Sequence, residues 1–486
     1  MAPAAPNGAV LGYDARRRMV NSLETGQHSE VDLRHLGAQS LMATTSPCLW
    51  LDDVDELPPL PVLEQDMHCD TAIVGAGFTG LWTAYWLHRL NPEHRIVIVD
   101  AEQPGFGASG RNGGWVMGHL EGLSHLLKGA EKEQRDATCQ LLTGLLSQFA
   151  NVLDREHFNC DFQHGGGLYS ACRFPAQVKA AQRELEQLKR LGFSADDYHW
   201  LAADSAKHRV KARQTFGAIA TPHVGVIHPV KLLRELTRTL LARGVAVFRN
   251  TKATQQSSGH LTTPKGDLRA HQVIWATEGY ASGAAPTLGR LLPVQSGMIA
   301  TAPLSDSQWA TIGFEGRPAF CDFSRLSSYL QRTADNRLVV GARGSLHPRH
   351  HPAKTLSPDS HDNRFRHALL RDLFPQLGEV EITHAWGGSL GVPRHFRPFV
   401  HWDPQMKMGT AGGYLGEGVG ASFLFGQTLA EIVLNRTSSR TRAPWVSVGR
   451  LTTSIPRWEP APLPWLGFAA FKNTVRALES WQSRHR

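Results

Sequence analysis

The stretch Cys69-Asp-Thr-Ala-Ile-Val-Gly-Ala-Gly-Phe-Thr-Gly80 decides the fold of this 486-residue chain. A short run with β-strand character leads directly into a GxGxxG turn, and an apolar pattern with helical spacing follows it. Asn91-Pro92 then marks a turn, and Arg95-Ile-Val-Ile-Val99 predicts a second buried strand that ends at Asp100. The spacing therefore predicts a β-α-β unit of about thirty residues, the usual size of this motif.

The three glycines of the turn meet three different steric requirements of a dinucleotide site. Gly75 makes the tight turn, Gly77 lets a pyrophosphate approach the backbone, and Gly80 lets the helix pack against the strand. The N-terminus of the helix offers N–H groups and the positive end of its dipole to phosphates. Asp100 lies twenty residues after Gly80, where a carboxylate can accept both ribose hydroxyls. The strand, helix and acid together favour a dinucleotide site over an empty glycine turn, without distinguishing FAD from NAD.

The composition excludes several classes of protein. With 41% hydrophobic and 19% charged residues, the chain is too apolar to be disordered, and its ordinary Gly and Pro content excludes a fibrous protein. The length predicts two or three domain-sized units. Six scattered cysteines without a CxxC pair exclude a zinc ribbon and favour a reducing compartment, so a cytoplasmic location is expected. No apolar run approaches the ~18 residues that span a bilayer.

The net charge of +8 is concentrated at the C-terminus. Residues 435–486 hold nine Lys and Arg against two Glu, a net +7, and the nearly neutral remainder argues against nucleic acid as a partner. This segment is also rich in tryptophan, and Phe468, Phe471, Val475 and Leu478 are spaced for one apolar helical face. We expect this helix to pack on the body or on a sister subunit of a homo-oligomer. Contact with an anionic membrane surface is the alternative.

Three further glycine-rich segments follow the first. Residues 107–114 read Gly-Ala-Ser-Gly-Arg-Asn-Gly-Gly, and residues 276–280 read Ala-Thr-Glu-Gly-Tyr after a predicted strand. Residues 412–420 read Gly-Gly-Tyr-Leu-Gly-Glu-Gly-Val-Gly and open an apolar helix that runs to about Leu434. Each segment can bring backbone close to a long ligand, and the last one forms a second helix N-terminus.

As a set, these four motifs resemble those of the D-amino-acid-oxidase-like FAD oxidoreductases, which include glycine and sarcosine oxidases and γ-glutamylputrescine oxidoreductases. The resemblance covers roughly residues 46–435, and the 107–114 segment is most similar to the γ-glutamylputrescine oxidoreductase branch. It implies an α/β (α+β) two-domain fold of the glutathione-reductase-2 type. A Rossmann-like FAD-binding domain accompanies a discontinuous substrate domain with an antiparallel sheet. The expected divisions are a polar extension at 1–44, the FAD-binding domain at 67–120, 206–290 and 380–440, the substrate domain at 121–205 and 291–379, and a basic Trp-rich tail at 441–486.

The resemblance also implies which residues bind FAD. The GxGxxG turn and Asp100 hold the ADP half, the 107–114 segment follows the pyrophosphate and the flavin edge, and Ala253 offers its backbone to the adenine. The 412–420 segment presents N–H groups to the flavin pyrimidine edge, where a helix N-terminus stabilises the anionic reduced flavin. The expected cofactor-binding residues are Gly75, Gly77, Phe78, Thr79, Gly80, Asp100, Ala101, Ala108, Ser109, Arg111, Asn112, Gly113, Gly114, Ala253, Ala276, Thr277, Gly279, Gly413, Gly416, Glu417, Gly418 and Val419.

Two positions depart from the pattern of relatives. Glu417 stands where the family often has a histidine, and because a carboxylate facing the flavin would oppose reduction, we expect its side chain to turn away. Ser328 stands where monomeric sarcosine oxidases have the cysteine that binds flavin covalently, and Cys321 is out of register. The FAD is therefore expected to be non-covalent.

The resemblance implies that a hydride passes to flavin N5 from a carbon bearing an amine, giving an imine that hydrolyses to an aldehyde. Glycine and D-amino-acid oxidases carry an arginine after a W-x-G motif for the substrate carboxylate, and Trp386-Gly-Gly-Ser-Leu390 has none. A primary or N-substituted amine is therefore favoured over a free α-amino acid. The expected catalytic residues are Trp386 as a pocket wall, Arg332 as an anion partner and Tyr329 on the same strand as Arg332. A core tryptophan and a surface arginine are the alternatives.

Other functions stay open at this point. They are an amino-acid oxidase of the glycine, sarcosine or D-amino-acid type, a flavoenzyme of specialised metabolism that acts on a larger C–N substrate, and a non-catalytic FAD-binding subunit. Either O2 or another electron acceptor would reoxidise the flavin. His347, His350 and His351 stand beside prolines without a carboxylate at ligand spacing, so no metal site is expected.

Overall fold

The structure, a computed structural model, describes residues 48–52, 54–281, 285–324, 328–346 and 361–484. The predicted extension at 1–44 and the histidines at 347–351 lie outside the described residues. The strands are β1 (Met67–Val74), β2 (Ile96–Val99), β3 (Trp115–Met117), β4 (Gly167–Ala171), β5 (His199–Ala202), β6 (Gly217–Thr221), β7 (Val224–Val226), β8 (Ala246–Phe248), β9 (Thr254–Ser257), β10 (His260–Thr262), β11 (Asp267–Trp275), β12 (Leu291–Thr301), β13 (Ala319–Asp322), β14 (Ser328–Arg332), β15 (Leu338–Leu346), β16 (Ile382–Pro393), β17 (Phe399–Asp403), β18 (Met408–Gly412) and β19 (Val446–Val448). The helices are α1 (Phe78–Leu90), α2 (Leu123–Leu126), α3 (Lys132–Thr143), α4 (Leu145–Glu156), α5 (Ala176–Leu191), α6 (Ala203–Arg209), α7 (Pro229–Ala242), α8 (Asp306–Ile312), α9 (His361–Leu373), α10 (Gly418–Val433), α11 (Leu451–Ser454) and α12 (Leu463–Arg484).

A nine-stranded sheet is built around the predicted β-α-β unit. Its order is β19-β17-β18-β11-β1-β2-β8, with β10 and β9 attached to β11 as an antiparallel arm. The strands β1, β2, β8, β11 and β18 run parallel. The Val- and Ile-rich stretches of β1, β2 and β11 are buried, as is typical of a sheet covered on both faces. Helices α1, α7 and α10 pack together on one face, in the largest apolar cluster of the described residues.

The turn between β1 and α1 shows why its glycines are needed. Gly75 has a φ of +110°, a conformation that disfavours any side chain. A Cβ atom on Gly80 would overlap the carbonyl oxygen of Gly75 and lie 3.1 Å from Cγ2 of Ile73. The first turn of the helix therefore lies directly against the strand. The helix begins at Phe78, three residues earlier than the apolar pattern alone indicates.

The second sheet has eight strands in the order β16-β12-β15-β14-β13-β4-β6-β5. Its pairs are antiparallel except for β4 and β13, which run parallel. The predicted hairpin is present, because β14 and β15 pair across a turn in which Asn336 has a φ of +64°. Together with the first sheet, this arrangement confirms the predicted mixed α/β fold with a Rossmann-like sheet and a second, largely antiparallel sheet.

Two strands lie in a different sheet from the one that the predicted division gives them. The prediction assigns 206–290 and 380–440 wholly to the Rossmann-like domain, but β6 pairs with β4 and β5, and β16 pairs with β12. The pairing of β16 runs from Pro393 opposite Leu291 to His384 opposite Ala300. The division misplaces β16 because this Gly-rich strand pairs with β12, which is distant in sequence, and the local sequence of β16 does not indicate that partner.

The C-terminal tail packs against the body of the protein. Trp445 is buried and stacks on Phe425 of α10, and β19 extends the nine-stranded sheet. The indole N–H of Trp458 donates to the Val392 carbonyl at 2.7 Å, and Trp465 joins a small apolar cluster with Leu415. The packed interpretation of the tail therefore accounts for these three tryptophans. No described helix is long and apolar enough to cross a bilayer.

Candidate active site

A cavity of about 690 Å³ lies where the carboxyl end of β1 meets the eight-stranded sheet. Both sheets contribute to its wall, together with the N-termini of α1 and α10. The structure brings most of the predicted site residues into this wall. They are Gly75, Gly77, Phe78, Thr79, Asp100, Ala101, Ala108, Ser109, Arg111, Asn112, Gly113, Ala253, Ala276, Thr277, Tyr329, Gly416, Glu417, Gly418 and Val419.

The cradle at the start of α1 is held by the two segments that follow in sequence. The N–H group of Ala76 donates to Oδ2 of Asp100 at 2.7 Å, and the hydroxyl of Ser109 accepts from the N–H of Phe78 at 2.9 Å. A Cβ atom on Gly77 would lie 2.8 Å from Oγ of Ser109. Each carboxylate oxygen of Asp100 can accept a second hydrogen bond, so the cradle fits a ribose and a pyrophosphate.

Trp386 does not line the cavity, contrary to its predicted role as a pocket wall. Its side chain is 1% exposed and packs edge-on against Trp50, and its indole N–H donates to the carbonyl of Arg111 at 3.1 Å. The indole N–H of Trp50 donates in the same way to the carbonyl of Asn112 at 2.8 Å. The loop at 107–114 lies over Trp386, so both tryptophans hold this loop from behind and Trp386 is a supporting core residue.

Arg332 also points away from the cavity. On β14, side chains alternate between the two faces, which places Tyr329 and Gln331 toward the 107–114 loop and Arg332 on the opposite face. The Arg332 guanidinium lies 4.5 Å from the Trp309 ring centre and donates to Oδ1 of Asn336 at 2.6 Å. The predicted role as an anion partner is therefore not supported, whereas Tyr329 lines the cavity and its Oη lies 2.7 Å from Oγ of Ser296.

Four predicted glycines lie behind the wall rather than in it. They allow backbone segments to approach closely: a Cβ atom on Gly279 would lie 2.8 Å from the backbone of β16, and one on Gly114 would overlap the Ile227 carbonyl. These residues therefore shape the wall without forming it. The four are Gly80, Gly114, Gly279 and Gly413.

Glu278, for which no role is predicted from the sequence, joins three segments around the cavity. Its carboxylate accepts backbone N–H groups from Gly279, from Gly391 of β16 and from Gly413 before α10, the last at 3.0 Å. Burial raises the pKa of Glu278 to about 7, while these N–H donors act to lower it. A signal was present in the sequence, because Glu278 is the acidic residue in the middle of the Ala-Thr-Glu-Gly-Tyr segment.

Several polar atoms in the wall fit a bound cofactor. The hydroxyl of Thr277 and the indole N–H of Trp115 are buried and have no hydrogen-bond partner among the described residues. The hydroxyl of Tyr414 lies 2.7 Å from Oγ1 of Thr79, which joins the N-terminus of α1 to the segment that precedes α10. Two helix N-termini, a carboxylate and unpartnered donors along one cavity suit a dinucleotide with a polar ring system. Ser296, which also lines the cavity, lies in a strand without a motif and had no signal in the sequence.

The charges around the cavity are unevenly distributed. Among the side chains that the structure describes, the lining cations are Arg111, whose guanidinium lies 4.7 Å from the Phe106 ring centre, and Lys252 beside Ala253. The eight-stranded sheet contributes the hydroxyls of Ser296 and Tyr329, together with Ser328, whose own hydroxyl donates to Asp322. None of the described lining residues is a cysteine or a histidine.

Comparison with known proteins agrees with this geometry. The γ-glutamylputrescine oxidoreductase of Escherichia coli (strain K12) is 28% identical over 387 residues, which cover 77% of this chain and 86% of that protein. The probable oxidoreductase OrdL of Haemophilus influenzae is 25% identical over 394 residues, which cover 78% and 85%. Glycine oxidase from Geobacillus kaustophilus has the same fold, with a TM-score of 0.62 at 18% identity over 78% of this chain and 98% of that one.

The family is shown by a match over most of the chain. Residues 70–432 match the family model described as DAO, FAD dependent oxidoreductase. This range contains all four glycine-rich motifs and both sheets apart from the first residues of β1 and the strand β19. The chain therefore belongs to the DAO family of FAD-dependent oxidoreductases, and FAD is its cofactor.

Proposed function

We propose that this enzyme oxidises the C–N bond of an amine that has no carboxylate on the reacting carbon. The observation that carries the proposal is the neutral substrate side of the cavity. Among the described residues, those that the eight-stranded sheet contributes to the wall are uncharged, and Arg332 lies on the other face of the sheet. A free α-amino acid needs a cation to pair with its carboxylate. An amine needs a surface that holds its neutral form, which these groups can provide.

The residues divide into two functional groups in this proposal. The cradle at Gly75–Gly80, with Asp100 and Ser109, would hold the ADP half of FAD, and the segment at 416–419 would present N–H groups to the ring system. Bound FAD supplies the hydride acceptor. Tyr329, with its hydroxyl against Ser296, and the ring of Trp115 would orient the amine and exclude water from it. The resulting imine would hydrolyse to an aldehyde.

Among substrate classes, we favour an N-acylated diamine. The relative from Escherichia coli is named for γ-glutamylputrescine, an amide of a diamine. The free primary amine of such a compound carries no carboxylate on its carbon, which agrees with the neutral wall described above. An amino-acid oxidase or a flavoenzyme acting on a larger C–N substrate remains the alternative, and O2 or another acceptor would complete the cycle.

An anaerobic screen tests this substrate class. We expect an N-acylated diamine to bleach the flavin absorbance at 450 nm at least tenfold faster than glycine, sarcosine or D-alanine at equal concentration. Arg332→Ala is the matched control, and it should bleach at the wild-type rate because its guanidinium stacks on Trp309 away from the cavity. Faster bleaching by an α-amino acid would contradict the proposal.

The same screen separates the remaining functions. Bleaching only by a large biosynthetic intermediate would indicate specialised metabolism. Retention of FAD without bleaching by any compound would indicate a non-catalytic subunit. Steady-state rates under air and with an artificial acceptor would then identify the oxidant.

The attachment of FAD gives a separate prediction. Ser328 occupies the position of the covalent cysteine of relatives, is fully buried, and donates its hydroxyl to Asp322. Cys321 is also buried and does not line the cavity. We therefore expect acid precipitation to release essentially all yellow colour into the supernatant. A pellet that stays yellow after washing would show a covalent bond.

We also propose that the enzyme works in the cytoplasm, since all six cysteines are buried thiols and relatives match along the whole body of the chain.

Contact between the tail and a membrane surface and the formation of a homo-oligomer are further proposals. They are supported by the exposed Leu463 and Leu466 of α12 and by the basic charge of the segment.

A further inference from the structure

Four ionisable side chains are buried together beside the N-terminus of α10. His119 is 2% exposed and Glu417, the residue that precedes α10, is 4% exposed. Nδ1 of His119 lies 3.2 Å from Oε2 of Glu417. Glu121 and Glu184 of α5 are each 8% exposed, and both act electrostatically on His119. We name these four residues the acidic cluster.

The acidic cluster cannot hold all of its formal charges. Three carboxylates and one imidazolium would leave a net charge of −2 in the interior, which burial makes unfavourable. Burial raises the pKa of Glu184 to about 8. Burial also disfavours the imidazolium, but the three carboxyl groups outweigh it and raise the pKa of His119. At neutral pH Glu184 therefore holds its proton, and the raised pKa of His119 favours its protonated form.

Several polar atoms of the acidic cluster are available to bind a proton. The charge of Glu417 acts on Tyr169 of β4 and on Tyr198 before β5, and burial raises the pKa of both, so they stay neutral. Nε2 of His119, Oε1 of Glu184 and Oε1 of Glu417 have no hydrogen-bond partner among the described residues. No group of described residues could hold a metal ion.

The acidic cluster also adjoins the cofactor site. Glu417 lines the cavity and stands at the N-terminus of α10, next to the N–H groups that the proposed function assigns to the ring system. Reduction adds negative charge there, and in a buried site a new charge acts strongly on neighbouring ionisable groups. A nearby negative charge makes a carboxyl group hold its proton more tightly.

We propose that the acidic cluster takes up one proton from solvent when the bound FAD is reduced to its anionic form, so that the added charge is balanced inside the protein. This inference rests on the proposed function only for the placement of the cofactor ring. Reduction of FAD to its anionic form consumes two electrons and one proton. A second proton binds the acidic cluster, and above about pH 8 it binds Glu184, which is otherwise ionised there. Reoxidation releases that proton.

The pH dependence of the midpoint potential tests the inference without any amine. Dithionite would reduce the holoenzyme at pH 8.0–9.5 against a reference dye. A tenfold change in an equilibrium constant is 29.6 mV for a two-electron couple, so each proton taken up contributes about 30 mV per pH unit. We expect the wild-type potential to fall by about 60 mV per unit, and that of Glu184→Gln by about 30 mV per unit.

Glu186→Gln is the matched control, because it removes an exposed carboxylate from the same helix, where Glu186 pairs with Lys189. It should keep the wild-type slope. A second measurement uses the wild type alone: photoreduction in weak buffer at pH 8.5 should take up two protons per FAD, as reported by a pH-indicator dye. A wild-type slope near 30 mV per unit, or a Glu184→Gln slope equal to that of the wild type, would overturn the inference while leaving the amine screen unaffected.

Discussion

Gly80→Ala is expected to abolish FAD binding. The added Cβ atom would overlap the carbonyl oxygen of Gly75, which is backbone and cannot rotate away, and would press on Ile73 of β1. The N-terminus of α1 would have to move away from the strand, and overpacking of this kind costs about 1–3 kcal/mol or more. Because the cradle depends on that closeness, we expect the purified variant to lose at least 90% of its bound flavin. The ratio of absorbance at 450 nm to that at 280 nm measures this loss.

Gly467→Ala is the control for the loss of a glycine in a helix. No atom lies within 4 Å of the added Cβ in α12, so this change should keep the wild-type flavin content and favour the helix by about 1 kcal/mol. A Gly80→Ala protein that folds, as judged by circular dichroism, and retains a full complement of FAD would show that the turn tolerates displacement.

Glu278→Ala is expected to be the most damaging change to a residue other than glycine. It would leave the buried N–H groups of Gly279, Gly391 and Gly413 without their acceptor. Each buried donor left unpaired costs about 1–3 kcal/mol, so the free energy of unfolding should fall by several kcal/mol. We expect the thermal midpoint of the apoprotein to drop by about 5–10 °C. Fluorescence titration should show at least tenfold weaker FAD binding.

Glu278→Gln serves as the matched variant, since it keeps the size and one acceptor oxygen. Its thermal midpoint should lie between those of the wild type and Glu278→Ala. Wild-type midpoints for both variants would show that the three segments hold together without this side chain.

Local patterns predicted the cradle because all of its determinants lie within about thirty residues. The β1–α1–β2 unit and the acid at its end follow from spacing and turn residues in one short segment. The hairpin around Asn336, in the other sheet, was predictable for the same reason. The four glycine motifs marked most of the cavity wall for the same reason.

The residues that the sequence did not place correctly depend on distant contacts. Trp386 is covered by the 107–114 loop, and Arg332 faces Trp309 because of its register in β14. The strand β16 pairs with β12, a partner that its glycines do not indicate. His119 meets Glu417 across almost 300 positions of the chain, so no local motif could have marked the pair. Such contacts are set by the packing of the two sheets.

The distance along the chain between β1 and α10 has a consequence for biosynthesis. The cradle at β1 leaves the ribosome early, but the N-terminus of α10 that faces the same cavity is made about 350 residues later. At typical rates of synthesis this interval is about 20–70 s, during which the nascent chain exposes a half-built site. We therefore expect FAD to bind only after α10 has been made, so a pulse-labelled chain arrested before α10 should not retain flavin.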